Sequence, residues 1–282
     1  MDWLEYEKTV FDELTNRYLD SRISWNVHLK GNLSGIDRQI DIFIETDIDG
    51  AGVRTIVDTK MYNKPIHIKD VEEFLGMVSD VDVERGLMVT TVGYSPAALE
   101  RAHRDLADIE LDVMSLAEFK AHQGSGAIPF SGPNAVVLPA PFGWVIDNSS
   151  VPQFSAVLYQ HGRSFEDSKR ALEWAYFQFW RKDVPGTPIT VEGVLEQQNL
   201  ELRGDDSNIE ISYVNVPTTI KYPVQIRLAK RSSHPAWEYT GAIEFPDFIF
   251  FIVIFTPPQV ANRNLRKLIE MLSRAIPTKI SV

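Results

Sequence analysis

Three residues of the N-terminal region, Asp41, Asp58 and Lys60, have side chains suited to joint chemistry. Asp41 lies in "RQID", and Asp58 and Lys60 lie two residues apart in "IVDTK". Carboxylates held close together repel each other unless a cation compensates them. Mg²⁺ is typically held by one or two carboxylates together with waters and substrate phosphate oxygens. The three side chains are therefore candidates for a divalent-cation site.

A predicted hairpin would bring these residues together. Alternating apolar residues over 40–48 and 51–60 predict two strands, and Asp49-Gly50 between them is a strong signal for a two-residue turn. Such a turn places Asp41 opposite Asp58, with Cβ atoms about 4.5–5.5 Å apart. Strand alternation puts Lys60 on the face of Asp58. A one-residue slip would break this geometry, and both aspartates could also be solvent-facing residues, with Lys60 merely neutralising Asp58.

Two flanking helices carry further acids. The first predicted helix places Glu7 within an apolar stripe, so we expect this carboxylate to find a partner, unless it lies at the edge of the stripe and reaches water. A second helix is predicted over 68–81, with Asp70 as N-cap and Glu73 three residues on. This spacing favours a capping box over a ligand role for Glu73.

The N-terminal region has the element order α-β-β-β-α-β-α-β-α, which indicates a mixed sheet flanked by helices. Residues 123–143 are uncharged and rich in Gly and Pro, as linkers are. Beyond them we expect an α+β region with a mainly antiparallel sheet, an aromatic-rich helix over 164–182 and a last helix over 260–275. The predicted domains are thus 1–122 and 144–282, joined by this linker.

Composition restricts the function classes. The chain of 282 residues is 44% hydrophobic and contains no cysteine, which excludes disulfides and cysteine-ligated metal sites and fits a cytoplasmic protein. We expect no membrane span, because the longest apolar run, Phe248 to Phe255, is too short. The net charge of −11 falls within residues 1–122, which is not the usual footprint of a nucleic-acid-binding domain.

Three segments of the N-terminal region resemble the Mrr-like restriction endonucleases of the PD-(D/E)xK nuclease superfamily. They are "SGIDRQIDIFIE", "IVDTKMYNKPIHIKDVEEFLGMV" and "GLMVTTVGYSPAALERA", and the resemblance spans most of residues 1–118. Two departures are Asp58, where relatives usually carry glutamate, and the pair Glu72-Glu73, in a helix where relatives often carry glutamine. We do not recognise the region after the linker.

The resemblance implies metal-dependent hydrolysis of DNA phosphodiester bonds, in prokaryotic defence against foreign DNA. Asp41 and Asp58 would hold Mg²⁺, or Mn²⁺ in its place, and Lys60 would orient the attacking water. Glu7 would orient the metal's water shell or bind a second ion. Lys64 and Lys69 could hold a flanking phosphate or be surface lysines.

An acidic nuclease domain should bind DNA weakly alone, so we expect a homo-oligomer or a partner protein of a defence system. Basic segments of the second region, "KRSSHPAW" and "NRNLRKLIEMLSR", could form a DNA-binding surface or a solvated face. Two alternatives stay open. The first region could be a catalytically silent binding or scaffold module, or a signal bound by the second region could gate the nuclease.

Overall fold

The computed structural model describes residues 2–48, 50–105, 110–121, 126–147, 154–216 and 220–280. The chain divides into two compact units, Met1–Gly124 and Ser125–Val282. Each unit has its own sheet and apolar core. No helix in the described part of the chain is both long and apolar enough to cross a membrane.

The first unit follows the element order predicted from sequence. Its helices and strands are α1 Trp3–Arg17, β1 Ser21–Lys30, β2 Asp37–Ile48, β3 Ala51–Lys60, α2 Ile68–Asp80, β4 Arg85–Thr90, α3 Pro96–His103, β5 Glu110–Ser115 and α4 Leu116–Ala121. Asp2 caps α1 by accepting a hydrogen bond from the Glu5 amide, and Ser95 caps α3, which has a proline in its first turn.

The sheet of the first unit is mixed, as predicted. Its strand order is β1-β2-β3-β4-β5, in which β1, β2 and β3 are antiparallel and β3, β4 and β5 are parallel. Helices α2 and α3 pack on the sheet and bury one apolar core against it. The fully buried members of this core include Ile40, Ile56, Ile66, Val71, Val78 and Met88. The core fixes the ends of β2 and β3 beside α2.

The second unit contains the remaining elements. They are β6 Gly126–Ala127, β7 Phe130–Ser131, β8 Asn134–Pro139, β9 Trp144–Asp147, β10 Val157–Gln160, α5 Phe165–Arg170, β11 Trp174–Arg181, α6 Val191–Asp205, β12 Glu210–Val214, β13 Val224–Lys230, β14 Trp237–Glu244, β15 Phe248–Thr256, α7 Ala261–Ser273 and β16 Ile276–Lys279. Seven strands form an antiparallel sheet in the order β12-β13-β14-β15-β11-β10-β9, and β16, β8 and β6 form a smaller one.

The helix predicted over 164–182 is wrong. The structure has the short helix α5 and then the strand β11, which pairs with β10 on one side and β15 on the other. Along β11, Ala175 and Phe177 are fully buried, whereas Trp174 and Tyr176, which alternate with them, are half-buried. The aromatic run alternates with the period of a strand, and β-propensity favours the aromatic residues there.

The segment predicted as a linker, 123–143, contains strands of the second unit. β8 pairs with β16 and with β6 and β7, and its residues Ala135, Val136 and Leu138 are fully buried. The Gly and Pro residues around it shape tight turns rather than a free connection. Residues 122–125, where the predicted boundary falls, lie outside the described residues.

Candidate active site

A polar cavity of about 260 Å³ opens where β2, β3 and α2 meet. Its lining comes from Arg38, Gln39 and Asp41 of β2, Asp58 and Lys60 of β3, and Asp70, Glu73, Phe74 and Met77 of α2. The structure therefore brings Asp41, Asp58 and Lys60 together at one cavity.

The hairpin register is the one predicted from the two-residue turn. β2 and β3 pair from Ile48↔Ala51 to Ile42↔Val57. The next positions in this register are Asp41 and Asp58, which lie just beyond the last paired residues of the two strands. Asp49, half of the predicted turn, lies outside the described residues, and Gly50 has the positive φ of 81° that glycine adopts readily.

Asp41 is fixed by Thr59, the middle residue of the Asp-Thr-Lys sequence. The Asp41 Oδ2 atom accepts hydrogen bonds from the Thr59 amide at 2.8 Å and from the Thr59 hydroxyl at 2.9 Å. A carboxylate held by two donors keeps one orientation. The sequence analysis missed this role of Thr59, and only its position between Asp58 and Lys60 could have indicated it.

Asp58 is buried and forms an ion pair with Lys60, whose Nζ lies 3.0 Å from Asp58 Oδ2. Burial raises the pKa of the Asp58 carboxyl to about 6, and the nearby charges of Asp41 and Glu73 contribute to the increase while Lys60 opposes it. The raised pKa means that the folded protein pays to keep Asp58 ionised. A bound divalent cation would relieve this cost.

Lys60 remains a cation in this setting. Burial alone would lower the pKa of its ammonium, but the charge and hydrogen bond of Asp58 outweigh burial, and the pKa is raised overall. Lys60 therefore presents a positive charge to the cavity at neutral pH. This is the state needed to attract a phosphate oxygen or to hold a water.

Glu7 is buried, as the apolar stripe predicted, but it does not line the cavity. Its carboxylate accepts a hydrogen bond from the Trp25 indole N–H. Burial raises the pKa of Glu7, Trp25 opposes this, and the charge of Asp41 adds to it. Glu7 is thus close enough to Asp41 to feel its charge, while its partner in the structure is Trp25.

The predicted capping of α2 is wrong. The N-cap is His67, and its backbone N–H donates to Asp70 Oδ2 at 2.9 Å, so Asp70 is the third helical residue of the capping arrangement. Sequence did not indicate His67, because histidine is not a preferred N-cap. The predicted extent of the helix, 68–81, agrees with the observed Ile68–Asp80, but the N-cap lies three residues before the predicted Asp70. Glu73 is consequently one turn into the helix and lines the cavity with Asp58.

The two lysines predicted to contact phosphate, Lys64 and Lys69, are exposed. Neither is among the residues that line the cavity. Their proposed contact with a flanking phosphate stays a prediction.

Two of the three basic residues of α7, Arg263 and Lys267, point into the second unit rather than to solvent. Arg263 is buried and donates to Glu173 at 2.7 Å, and Lys267 is buried and donates to the Phe142 carbonyl oxygen. In the other basic segment, the Lys230 ammonium lies 4.3 Å from the centre of the Trp237 ring and Arg231 pairs with Glu238 at 3.6 Å. Arg263 and Lys267 therefore do not contribute positive charge to the surface of α7.

The cavity fits a divalent cation that keeps part of its water shell. In the described part of the chain, no three His, Cys, Asp or Glu side chains are grouped so as to enclose a metal by themselves. Mg²⁺ does not require such an enclosure, because one or two carboxylates suffice when waters and phosphate oxygens complete the shell. Asp41 and Asp58 supply this donor set.

A family model matches most of the first unit. Residues 1–119 match the Mrr_cat family model, described as restriction endonuclease. Residues 1–119 form an Mrr-like restriction endonuclease domain. The resemblance predicted from sequence is confirmed, and the match indicates a nuclease of the restriction-endonuclease type. It ends before the second unit and covers less than half of the chain.

Comparisons over the whole chain give no further indication of function. No curated protein matches. Solved structures similar to this chain include the following three. The numbers in parentheses are the sequence identity, the share of this chain and then of the other chain that is covered, and the TM-score. The three structures are AF1548, a protein of unknown function (19% identity, 44% and 67%, TM-score 0.34); cyanobacterial PsbP (CyanoP) from Synechocystis sp. PCC 6803 (9%, 51% and 86%, 0.33); and LpqN, involved in cell envelope biogenesis of Mycobacterium tuberculosis (8%, 53% and 86%, 0.34). At these TM-scores nothing about function follows.

Proposed function

We propose that this protein is a metal-dependent endonuclease that hydrolyses DNA phosphodiester bonds at the cavity between β2, β3 and α2. The observation that supports the proposal best is the convergence of Asp41, Asp58 and Lys60 on one cavity within an Mrr-like domain. Two carboxylates and an ammonium at one cavity are the donor set and the cation that phosphodiester hydrolysis with Mg²⁺ requires.

Each residue has a distinct task in this proposal. Asp41 and Asp58 would hold Mg²⁺ or Mn²⁺, which lowers the pKa of a bound water and polarises the phosphate. Thr59 holds the Asp41 carboxylate in one orientation through two hydrogen bonds. Lys60 would orient the attacking water and stabilise the negative charge that develops on the phosphate. Glu7, whose carboxylate accepts a hydrogen bond from the Trp25 indole, would orient the metal's water shell or bind a second ion.

The acidic charge of the first unit shapes the rest of the proposal. Residues 1–122 carry the whole net charge of −11, so a single unit should bind DNA weakly. We infer that a second copy or a partner protein raises the affinity, and that the protein acts in the cytoplasm in defence against foreign DNA. Lys64 and Lys69, both exposed, would contact flanking phosphates.

The test is cleavage of plasmid and phage DNA by the full chain with Mg²⁺, Mn²⁺ or EDTA. We expect metal-dependent cutting by the wild type and loss of cutting in Asp58→Ala and Lys60→Ala. A wild type that is folded, cuts no DNA and binds no Mn²⁺ would support the scaffold alternative instead. Cutting that begins only when a cell extract is added would support a nuclease gated through the second unit.

A further inference from the structure

The loop between β1 and β2, residues 31–36, presents two apolar side chains to solvent. Leu33 is 80% exposed and Ile36 is 58% exposed. A single exposed leucine on a protein surface is ordinary. Two exposed apolar residues on one short loop indicate a contact surface when the loop is held in one conformation. A mobile loop could instead bury them in transient contacts with the rest of the protein.

Asp80, at the end of α2, holds this loop. Its buried carboxylate accepts hydrogen bonds from the Leu33 amide at 3.1 Å, the Ser34 amide at 2.8 Å and the Ser34 hydroxyl at 2.7 Å. The hydrogen bonds from Ser34 and Arg38 hold the pKa of the Asp80 carboxyl well below its usual range. Asp80 therefore fixes the loop tip as an anion across the whole physiological pH range.

The loop backbone is built around this carboxylate. A Cβ atom on Gly31 would lie 2.4 Å from Asp80 Oδ2, so the close approach requires glycine. The Gly31 amide donates to the Ile36 carbonyl oxygen at 2.8 Å, and the Gly35 amide donates to the Gly31 carbonyl oxygen at 2.9 Å. The loop is closed on itself as well as tied to α2.

Arg38 connects the loop to the cavity. Its Nε donates to Asp80 Oδ2 at 2.6 Å, and the same side chain lines the cavity with Asp41 and Asp58. One buried carboxylate thus fixes both the loop tip and a cationic residue of the cavity wall. The exposed apolar tip is held in a constant position relative to the candidate metal ligands.

We propose that the β1–β2 loop inserts Leu33 and Ile36 into the minor groove of duplex DNA beside the phosphodiester bond that the cavity cleaves. Leucine and isoleucine are side chains that proteins use as apolar wedges in that groove. Neutral contacts suit an acidic unit, because they gain affinity without adding charge repulsion, and Arg38 supplies a cation beside them. Asp37 and Lys30 at the base of the loop pair across the two strands. The inference rests on the proposed function.

The matched variants are Leu33→Ser and Leu19→Ser. Leu19 is 82% exposed in the same unit, and it lies at the other end of β1 from the loop, about 30 Å away for a ten-residue strand. The measurement is binding of a fluorescein-labelled duplex by the full chain with Ca²⁺, which replaces Mg²⁺ without supporting cleavage. We expect Leu33→Ser to weaken binding about tenfold, as loss of a buried leucine contact does, and Leu19→Ser to leave it unchanged.

Salt dependence distinguishes an apolar contact from a lost phosphate contact. If Leu33 acts in the groove, the affinity ratio between wild type and Leu33→Ser stays constant between low and high salt, because no counterion release is lost. A wild type that binds and cuts DNA while both serine variants bind equally well would overturn the wedge and leave the nuclease intact. A ratio that falls steeply with salt would also overturn it. A wild type that binds no labelled duplex at any protein concentration would overturn the wedge, while the cleavage assay decides the nuclease separately.

Discussion

Two buried charged residues, Asp58 in the first unit and Arg227 in the second, lie in opposite environments. Asp58 lines the cavity with Asp41 and Glu73 near it, and its pKa is raised to about 6. In the second unit, the buried Arg227 donates to Glu238 at 3.0 Å, to Thr240 at 2.8 Å and to Asn199. Arg227 is thus surrounded by groups that accept its hydrogen bonds, whereas Asp58 has two further carboxylates near it and Lys60 as its counter-ion.

The overall charge follows the same division. Residues 1–122 hold the full net charge of −11, and the rest of the chain is neutral. Acidic excess in the unit that would bind DNA makes sense where part of it is neutralised by metal on binding.

The largest effect should come from breaking the second unit's network with Arg227→Met. Removing Arg227 takes away the buried guanidinium that donates to Glu238, Thr240 and Asn199, and should cost about 3–5 kcal/mol of unfolding free energy. Arg231→Met is the control, because Arg231 pairs with the same Glu238 from a more exposed position and should cost below about 1 kcal/mol. Urea unfolding followed by circular dichroism measures both, and equal losses would refute the contrast.

Lysine truncations in the two units compare two half-buried ion pairs of similar length. Lys60 pairs with Asp58 at 3.0 Å and Lys182 pairs with Glu244 at 2.9 Å. We expect Lys60→Ala to lower kcat/KM for plasmid cleavage roughly 10²–10³-fold, as loss of a charge-stabilising donor does. Lys182→Ala should leave kcat/KM unchanged and cost about 1 kcal/mol of stability. A comparable loss of cleavage in both variants would show that the Lys60 effect is structural.

Asp58→Asn should make the metal-free protein more stable. The folded carboxyl has a pKa of about 6, and the unfolded value is 3.8, so the wild type loses stability as pH rises from about 4 through 6. The variant escapes this loss, and its advantage should grow to about 2–3 kcal/mol at pH 7, reduced by the stranded Lys60. Urea unfolding in EDTA at pH 4.5 and pH 7 tests this. An advantage that does not grow with pH would contradict the assignment.

Glu73→Gln should have the smallest effect. Glu73 is the weakest of the charges that raise the pKa of Asp58, so removing its charge should lower that pKa slightly. Since protonation of Asp58 competes with metal, the acid limb of the cleavage pH profile should move to lower pH. Glu72→Gln is the control, because Glu72 is directed to Arg101 of α3. The same displacement in both variants would exclude Glu73 from the site.

The first unit could be predicted because its signals are local. The Asp49-Gly50 turn and the strand pattern determine the register of β2 and β3, and the register determines which carboxylates meet. Contacts between residues far apart in the chain could not be predicted from such local patterns. Asp80 accepts hydrogen bonds from Ser34, which lies 46 residues earlier in the chain, and neither segment carries a sequence pattern that predicts this contact. Glu73 was assigned to a capping box because the N-cap was placed at Asp70, three residues after the observed N-cap His67.

The second unit shows the opposite limit. Helix α6 was missed although Thr190, its cap, precedes apolar residues at positions 191, 194 and 195. Strand β11 was taken for a helix because an apolar, aromatic run suits either element, and pairing with β10 and β15 decided the outcome. Tertiary pairing overrides local pattern at β11, which lies between two neighbouring strands of the sheet.

The central claim, that Asp41 and Asp58 form a metal site, is tested most directly by locating the metal. Crystals of the full chain soaked in Mn²⁺ would be measured at the manganese absorption edge, with Asp58→Asn crystals treated alike. We predict an anomalous peak in the cavity within coordination distance of the Asp41 and Asp58 carboxylates, absent from the variant. A wild-type map without a peak there, or with one that persists in Asp58→Asn, would contradict the account.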